Sequence, residues 1–164
     1  MTSRSNFSDD EWQQVTGSVI VAAAVISAAD DVGEDQESEL QEMQAFRDNL
    51  DKLANKQKKS AFVQEVAAAL ASNDMDDFWD AHGAMGSAVS HENPLEDRLA
   101  EVKSAAAIVD RVADKKDAKA YKKFVYDAAR TVASASKESF FALSSSISKK
   151  EDFYLRQLRT MLGL

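Results

Sequence analysis

Two segments of the chain, one near each end, repeat the same order of features. Residues 21–40 contain a run of small apolar residues, an irregular break and an acid-rich helix start followed by leucines. Residues 125–164 follow the same order, with the second helix start inside the stretch ISKKEDFYLRQLRTMLGL. Such a repeat predicts two similar helical hairpins, because each copy must bury its apolar face against a neighbour. We expect these hairpins at 12–50 and 120–164, packed into one α-helical domain.

The composition favours helices throughout. The chain has 164 residues, a usual length for one domain, and 45% of them are hydrophobic, which is enough for a sizeable core. Five glycines and one proline are few turn-forming residues for an all-β fold. No segment alternates apolar and polar residues as a half-buried strand does. We therefore predict an all-α, single-domain bundle of about seven helices over residues 1–164, with a flexible N-terminus at 1–7.

Three helix starts carry recognisable capping chemistry. Ser8 and Glu11 fit the S-x-x-E capping box, and Ser148 and Glu151 fit it again. The run Asn93-Pro94-Glu96 combines an N-cap, a proline at the first helical position and an acid. Helical spacing then predicts these apolar stripes: Trp12, Val15, Val19, Ala22, Ile26 and Ala29; Leu40, Met43, Phe46, Leu50 and Leu53; Phe62, Val66, Ala69 and Leu70; Leu95, Leu99, Val102, Ala106 and Val109; Tyr121, Phe124, Val125, Ala128, Val132 and Ala135; Leu155, Leu158, Met161 and Leu162.

The connecting segments are less regular. A break at 30–33 ends the first helix, and the acids that follow it complement the dipole of the next helix. Asp74 has the chemistry of an N-cap for a further helix with Phe78, His82 and Met85 on one face. The stretch 114–117, DKKD, predicts a hinge or a tight connection, and the serine-rich stretch 134–148 predicts a loop pinned to the core by its apolar side chains.

The charge balance argues against nucleic acid as a partner. The formal net charge is −8, whereas a nucleic-acid-binding surface usually leaves a basic footprint. The lysines Lys115, Lys116, Lys119, Lys122 and Lys123 do lie together, but four aspartates are mixed among them. We therefore predict a solvated helix surface for this segment.

Sequence features of location favour the cytoplasm. Cysteine is absent, which excludes disulfides and thiolate metal sites. The first twelve residues lack the basic and apolar regions of a signal peptide. The longest apolar stretch, 19–29, is shorter than the roughly 20 residues that a membrane span needs. We expect a soluble protein without a membrane span.

At its two ends the chain resembles the TerB-like family, named for a tellurite-resistance protein. The family pattern is a small apolar helix ending in Ala-Asp-Gly, a short turn, a Ser-x-x-Glu helix start, spaced leucines and a closing Leu-Gly. The matching residues are Ala29-Asp30 and Glu37 in the first copy, and Ser148, Glu151, Leu155, Leu158 and Leu162-Gly163 in the second. Asp31 replaces the glycine of the first Ala-Asp-Gly, and residues 133–136 lack the motif altogether. The resemblance implies an all-helical fold and a setting in bacterial stress or envelope-linked signalling.

The acidic turn after the first helix is the best candidate site. Residues 30–39 hold six carboxylates, those of Asp30, Asp31, Glu34, Asp35, Glu37 and Glu39. Hard cations take oxygen ligands from flexible turns of this kind, so Asp30, Asp31, Glu34 and Glu37 are candidate ligands for Ca²⁺ or Mg²⁺. The TerB-like resemblance implies acidic surfaces near this turn for ions or partners. Two alternatives stay open: carboxylates that only cap a helix and solvate a turn, and an acidic docking surface.

Other candidate chemistry is weak. The carboxylates at 74, 76, 77 and 80 are explained by a helix cap and a solvated face. His82 lies on an apolar stripe and His91 in a turn, and neither belongs to a Glu-x-x-His or H-E-x-x-H motif. Serine-nucleophile and phosphate-loop motifs are absent as well. We predict no catalytic residue and no certain cofactor.

Three functional hypotheses follow. The first is a non-enzymatic binding module that resembles TerB-like proteins and acts through a protein partner, tuned by a divalent cation at the acidic turn. The second is a carrier or sensor with an apolar pocket between helices, lined by Phe78, Trp79, His82 and Met85. The third is an enzyme of unrecognised type that uses aspartate or glutamate side chains together with His82. A homodimer, with the stripe of the first helix as its seam, is compatible with each of them.

Overall fold

The described part of the chain is entirely helical. A computed structural model describes residues 1–29, 36–72, 94–135 and 147–164. These ranges contain seven α-helices and no strand, which confirms the predicted all-α bundle. The helices are α1 (Asp9–Ala29), α2 (Gln36–Asp48), α3 (Leu50–Lys56), α4 (Ala61–Leu70), α5 (Pro94–Val112), α6 (Lys115–Ala135) and α7 (Lys149–Met161), with a 3₁₀ turn at Arg4–Asn6.

Helices α1 and α6 form the centre of the bundle. They pack against each other, and α1 also contacts α2, α4, α5 and α7. Helix α6 contacts those same four helices and α3. The four largest fully buried side chains are aromatic. Tyr121 and Phe124 belong to α6, whereas Phe46 comes from α2 and Phe62 from α4. A two-helix centre surrounded by shorter helices is therefore the frame on which any surface site must lie.

Helix α1 is buried more completely than one apolar stripe predicts. Every residue from Val15 to Ile26 is buried. The predicted stripe is therefore part of the core, but the residues beside it are buried as well, because five other helices pack against α1. Its polar residues are satisfied internally: the Thr16 hydroxyl donates to the Trp12 carbonyl at 2.8 Å and the Ser18 hydroxyl lies 3.0 Å from the Val15 carbonyl.

The second predicted helix is two helices. Its stripe residues Met43, Phe46, Leu50 and Leu53 are buried as expected, but the helix breaks at Asn49. The side-chain amide of Asn49 donates to the Ala45 carbonyl at 2.7 Å. In a continuous helix, the backbone N–H of Asn49 would use that same acceptor. That N–H donates instead to the Phe46 carbonyl at 3.0 Å. Local side-chain competition therefore divides the segment into α2 and α3.

Both predicted capping boxes are confirmed. The Ser8 N–H donates to Glu11 at 3.0 Å, and the Glu11 N–H donates to the Ser8 hydroxyl at 3.2 Å. The matching distances for Ser148 and Glu151 are 2.7 and 3.1 Å. Helix α7 ends in a Schellman motif, in which Gly163 has φ +68° and the N–H of residue 164 reaches the carbonyl of residue 159 at 3.1 Å.

The N-terminal segment, expected to be flexible, packs against the bundle. Phe7 is buried and stacks on Phe62 with ring centroids 5.3 Å apart, and it contacts Trp12 as the hydrophobic staple requires. Thr2 is also buried, and its backbone N–H donates to the Asp117 carboxylate at 3.0 Å. Two anchors, one apolar and one polar, therefore place residues 1–7.

The remaining expectations divide by whether their residues are described. The start of α5 at Pro94 and the tight connection before α6 are observed, although Lys115, Lys116 and Asp117 already belong to α6. Residues 134 and 135 are helical rather than part of the expected loop, whose residues 136–146 lie outside the described ranges. The turn at 30–35 and the helix predicted from Asp74 also lie outside them, so the similarity of the two hairpins stays a prediction.

Among the described residues, α1 alone is long and apolar enough to cross a membrane by length and composition. Within its apolar window, 72% of the residues are buried in the protein, and core helices of soluble proteins meet the same criterion. The other helices around α1 account for its apolar composition. The apolar stripe that could have served as a dimer seam is likewise covered within one chain.

Candidate functional site: a groove between α1 and α5

The ligands predicted for a metal ion fall largely outside the described residues. Asp30, Asp31 and Glu34 belong to the undescribed turn, and Glu37 lies in the first turns of α2. The histidines and the second acidic cluster lie in the undescribed stretch 73–93. In the ranges that are described, no three acidic or histidine side chains converge as a metal site requires. The cation hypothesis therefore stays a prediction from sequence.

The described helices enclose a groove between α1 and α5 with a volume of about 660 Å³. Its lining from α1 is Asp10, Gln13, Gln14, Gly17, Ser18 and Val21, and its lining from α5 is Asp97, Ala100, Glu101 and Ser104. Each set repeats at steps of three and four, so each is one face of a helix. From Asp10 to Val21, the α1 face extends along eleven residues' rise of the helix, or roughly 16 Å.

Small residues form the middle of the groove and acids lie around it. Gly17 and Ser18 are buried, whereas Ala100 and Ser104 are exposed. With little side-chain volume at these positions, another chain segment can approach the backbone of both helices closely. Three carboxylates and two primary amides supply the polar lining, and no lysine or arginine lines the groove.

The acids of this region are held by local interactions. The half-buried Arg98 lies 3.3 Å from the exposed Glu101, one helical turn away. Arg111 pairs with Glu11 and so ties the end of α5 to the start of α1. The pKa of Glu11 is lowered, first by the backbone hydrogen bond from Ser8 and then by Arg111. The helix start beside the groove therefore keeps its negative charge to low pH.

A second groove lies on the other side of α5, between α5 and α7. Its volume is about 690 Å³, and its lining is more apolar. Leu99, Ala100 and Lys103 contribute from α5, and Phe153 and Met161 contribute from α7. Phe153 is 55% exposed, the largest exposure of any large apolar residue in the described ranges apart from Met1. A single exposed aromatic side chain does not define a binding site.

The α1–α5 groove suits an elongated, positively charged ligand better than an apolar one. Its length matches about three turns of a helix, and its charged lining is negative. Nothing in the sequence indicated this groove, because its two faces are about 90 residues apart in the chain. The apolar pocket of the carrier hypothesis was placed at 78–85, outside the described residues.

Compared with known proteins, the chain matches no family model, no curated protein and no solved structure. The TerB-like resemblance therefore depends on the short motifs of the sequence alone.

Proposed function

We propose that this protein is a non-enzymatic binding module, of the kind that the TerB-like resemblance implies, and that its α1–α5 groove receives a basic helical segment of a partner protein. The observation that carries the proposal is a groove of about 660 Å³ with three acidic lining residues and no basic one. Amphipathic helices commonly dock by laying one face into such a groove. Charge complementarity then provides orientation and a faster association rate.

The groove favours this function over the carrier hypothesis. A carrier of apolar ligands needs a pocket lined mainly by hydrophobic and aromatic groups. In this groove Asp10, Asp97 and Glu101, together with two glutamines, add charged and polar groups to a lining that is otherwise mostly apolar. Burying an apolar ligand here would remove water from these carboxylates without compensating their charge, which is unfavourable. A segment with lysine or arginine side chains would place opposite charges beside them.

Fluorescence anisotropy with a labelled peptide tests the proposal. The probe is an amphipathic helix of about 18 residues, with lysine and arginine on one face and alanine and leucine on the other. We expect saturable binding that weakens about tenfold or more in Asp97→Asn/Glu101→Gln, because two lining carboxylates are neutralised. The matched control is Asp48→Asn/Asp51→Asn, which makes the same charge change at exposed positions of α2 and α3.

A second pair of variants separates the groove from the charge. Ser104→Phe fills the groove, whereas Ala107→Phe places the same ring on an exposed position of α5 that does not line it. Loss of peptide binding in Ser104→Phe alone supports the groove. Equal binding by the two phenylalanine variants, or equal binding of a scrambled peptide of the same charge, would contradict the proposal.

The cation is a separate part of this hypothesis. Calorimetry with Ca²⁺ and Mg²⁺ tests it, with Asp30→Asn as the variant that removes the residue shared most directly with the family pattern. Heat that is lost in the variant would support a regulatory ion at residues 30–37. An absence of heat with both ions would leave those carboxylates as helix caps and would not affect the groove.

A further inference from the structure

Six lysines from two distant parts of the sequence surround one small cleft. The cleft has a volume of about 280 Å³ and lies between α6 and the segment that joins α3 to α4. Its basic lining is Lys56, Lys58, Lys59, Lys116, Lys119 and Lys123, and no acidic residue lines it. These are six of the 20 lysines and arginines in a chain with a net charge of −8. The basic residues are therefore concentrated here rather than spread evenly.

Two elements bring these lysines together. Lys116, Lys119 and Lys123 repeat at steps of three and four, so they share one face of α6. The other three lie at the end of α3 and in the connection that follows it. That connection is fixed by Ser60, which caps α4 through the Val63 N–H at 3.3 Å and donates to Asp117 of α6 at 2.7 Å.

The aspartates that the sequence mixes among the lysines do not neutralise the cleft. Asp117 is buried and accepts hydrogen bonds from Ser60 and from the Thr2 N–H. Asp114 accepts from the N–H groups of residues 116 and 117, as a helix cap does. Asp110 is paired with Lys122, which does not line the cleft, at 2.5 Å.

Only one lysine of the cleft has an anionic neighbour in the described ranges. Lys56 lies 3.8 Å from Asp127, which is a weak pair. The other five lining lysines make no ion pair among the residues that the structure describes. Helices α4 and α6 also both begin beside the cleft, and the positive ends of their dipoles add to the field of the ammonium groups.

We propose that this cleft binds a small multivalent oxyanion of the oligophosphate class. Its volume of about 280 Å³ is just below the roughly 300–1,000 Å³ usual for small-molecule sites, which favours a compact ligand. Lysine ammonium groups bind phosphate as point charges from several directions, without the paired geometry that arginine imposes. A long polyanion is disfavoured because the rest of the chain is acidic. No lining residue is shared with the α1–α5 groove, so the two proposals are independent.

Calorimetry at low salt tests the cleft with four probes: tripolyphosphate, ATP, inorganic phosphate and single-stranded poly(U) RNA. We expect tripolyphosphate and ATP to bind more tightly than phosphate, in proportion to their charge. Lys116→Ala/Lys119→Ala/Lys123→Ala should weaken tripolyphosphate binding by about 30-fold, from about threefold for each exposed ammonium group removed. The control Lys52→Ala/Lys103→Ala/Lys149→Ala removes the same charge at exposed positions outside the cleft.

The control and the RNA probe both give results that would overturn the proposal. Equal losses in the two triple variants would show diffuse electrostatic attraction instead of a site. Tighter binding of RNA than of tripolyphosphate, for the same number of phosphates engaged, would identify a polyanion surface. No heat with tripolyphosphate or ATP at low salt would exclude the site.

A gain of affinity in one further variant distinguishes a binding site from a fold defect. Asp127→Asn releases Lys56 from its only described ion pair while keeping the size of the side chain. We expect tripolyphosphate to bind about two- to threefold more tightly, as for the removal of one competing surface charge. Unchanged or weaker binding in this variant would remove Lys56 from the site.

Discussion

Helices α1 and α6 have the same length of 21 residues and share the centre of the bundle, but they use their surfaces differently. Helix α1 has no exposed residue between positions 15 and 26 and no charged residue after Glu11. Helix α6 buries one apolar face and exposes lysines on another. The comparison shows that a helix with a fully buried middle contributes mainly to the core, although one side of it also lines the α1–α5 groove, whereas an amphipathic helix of the same length contributes one face to the core and presents charged side chains on another.

The largest effect is expected from truncating α1. Ile20 is fully buried at the centre of its helix. Ile20→Ala should lower the free energy of unfolding by about 2–5 kcal/mol, because the methyl and methylene groups lose their burial and leave a cavity between tightly packed helices. Urea unfolding followed by circular dichroism measures it. The matched control is Ile108→Ala on α5, which is only half-buried and should cost clearly less. Equal losses would mean that α1 is no more critical than the helices around it.

A loss of stability is also expected from replacing a buried polar residue of α6. Asp117 is buried and links the N-terminal segment, the start of α4 and the start of α6 through its carboxylate. Asp117→Ala should cost about 2–3 kcal/mol, since it leaves the Thr2 N–H and the Ser60 hydroxyl without their acceptor. Asp117→Asn keeps one acceptor oxygen and should cost less. Urea unfolding of the two variants checks this order, and the reverse order would contradict the assigned hydrogen bonds.

A smaller effect is expected where the two helices are joined by hydrogen bonds. The buried Tyr121 hydroxyl of α6 donates to the Val15 carbonyl at 2.9 Å and lies 2.6 Å from the Ser18 hydroxyl of α1. Burial raises the pKa of this phenol well above its ordinary value. Tyr121→Phe should cost about 1 kcal/mol, because Ser18 keeps its bond to the Val15 carbonyl. In a spectrophotometric titration to high pH, one tyrosine of the unmodified protein should stay protonated. That tyrosine should be missing in Tyr121→Phe.

The features that could be predicted from the sequence are those that local chemistry decides. Both S-x-x-E boxes were found because the capping residues and the groups they bind are three positions apart. The stripes of α3, α4 and α5 were found because each of these helices has one buried face. The break at Asn49 was missed, since an asparagine inside a helical pattern competes for a backbone carbonyl only in some contexts.

The charged sites were missed for a different reason. The lysine cleft joins residues 56–59 to residues 116–123, and sequence spacing carries no information about that contact. The aspartates mixed among the lysines of this segment also led to the prediction of a solvated helix surface. Only the structure shows that Asp117 turns inward and Asp114 caps a helix, which leaves Lys116, Lys119 and Lys123 without an ion pair among the described residues. The direction of an acidic side chain, more than its presence, decided the charge of the surface.

The starts of both helices should respond to acid. The N–H of residue 117 lowers the pKa of Asp114 to about 2, and the Ser8 N–H lowers that of Glu11. A carboxylate with a lowered pKa stabilises the fold above its unfolded-state pKa near 4, and this contribution is lost as the pH falls toward the folded-state value. We expect the urea midpoint to fall between pH 5 and pH 2, with a shallower pH dependence in Asp114→Asn. An unchanged pH dependence in this variant would contradict the role of Asp114.

The smallest effect on stability should come from the lysine face of α6. Lys116, Lys119 and Lys123 are exposed, and their replacement by alanine removes repulsion among six clustered ammonium groups while improving helix propensity. The free energy of unfolding of the triple variant should therefore lie within about 0.5 kcal/mol of that of the unmodified protein. At low salt the variant should be the more stable of the two, and the difference should disappear at high salt. Urea unfolding at 50 mM and at 1 M NaCl measures this difference at low and at high salt. A loss of more than about 1 kcal/mol would mean that the aliphatic stems of the lysines pack against the bundle, which would make this face part of the core architecture and not a binding surface.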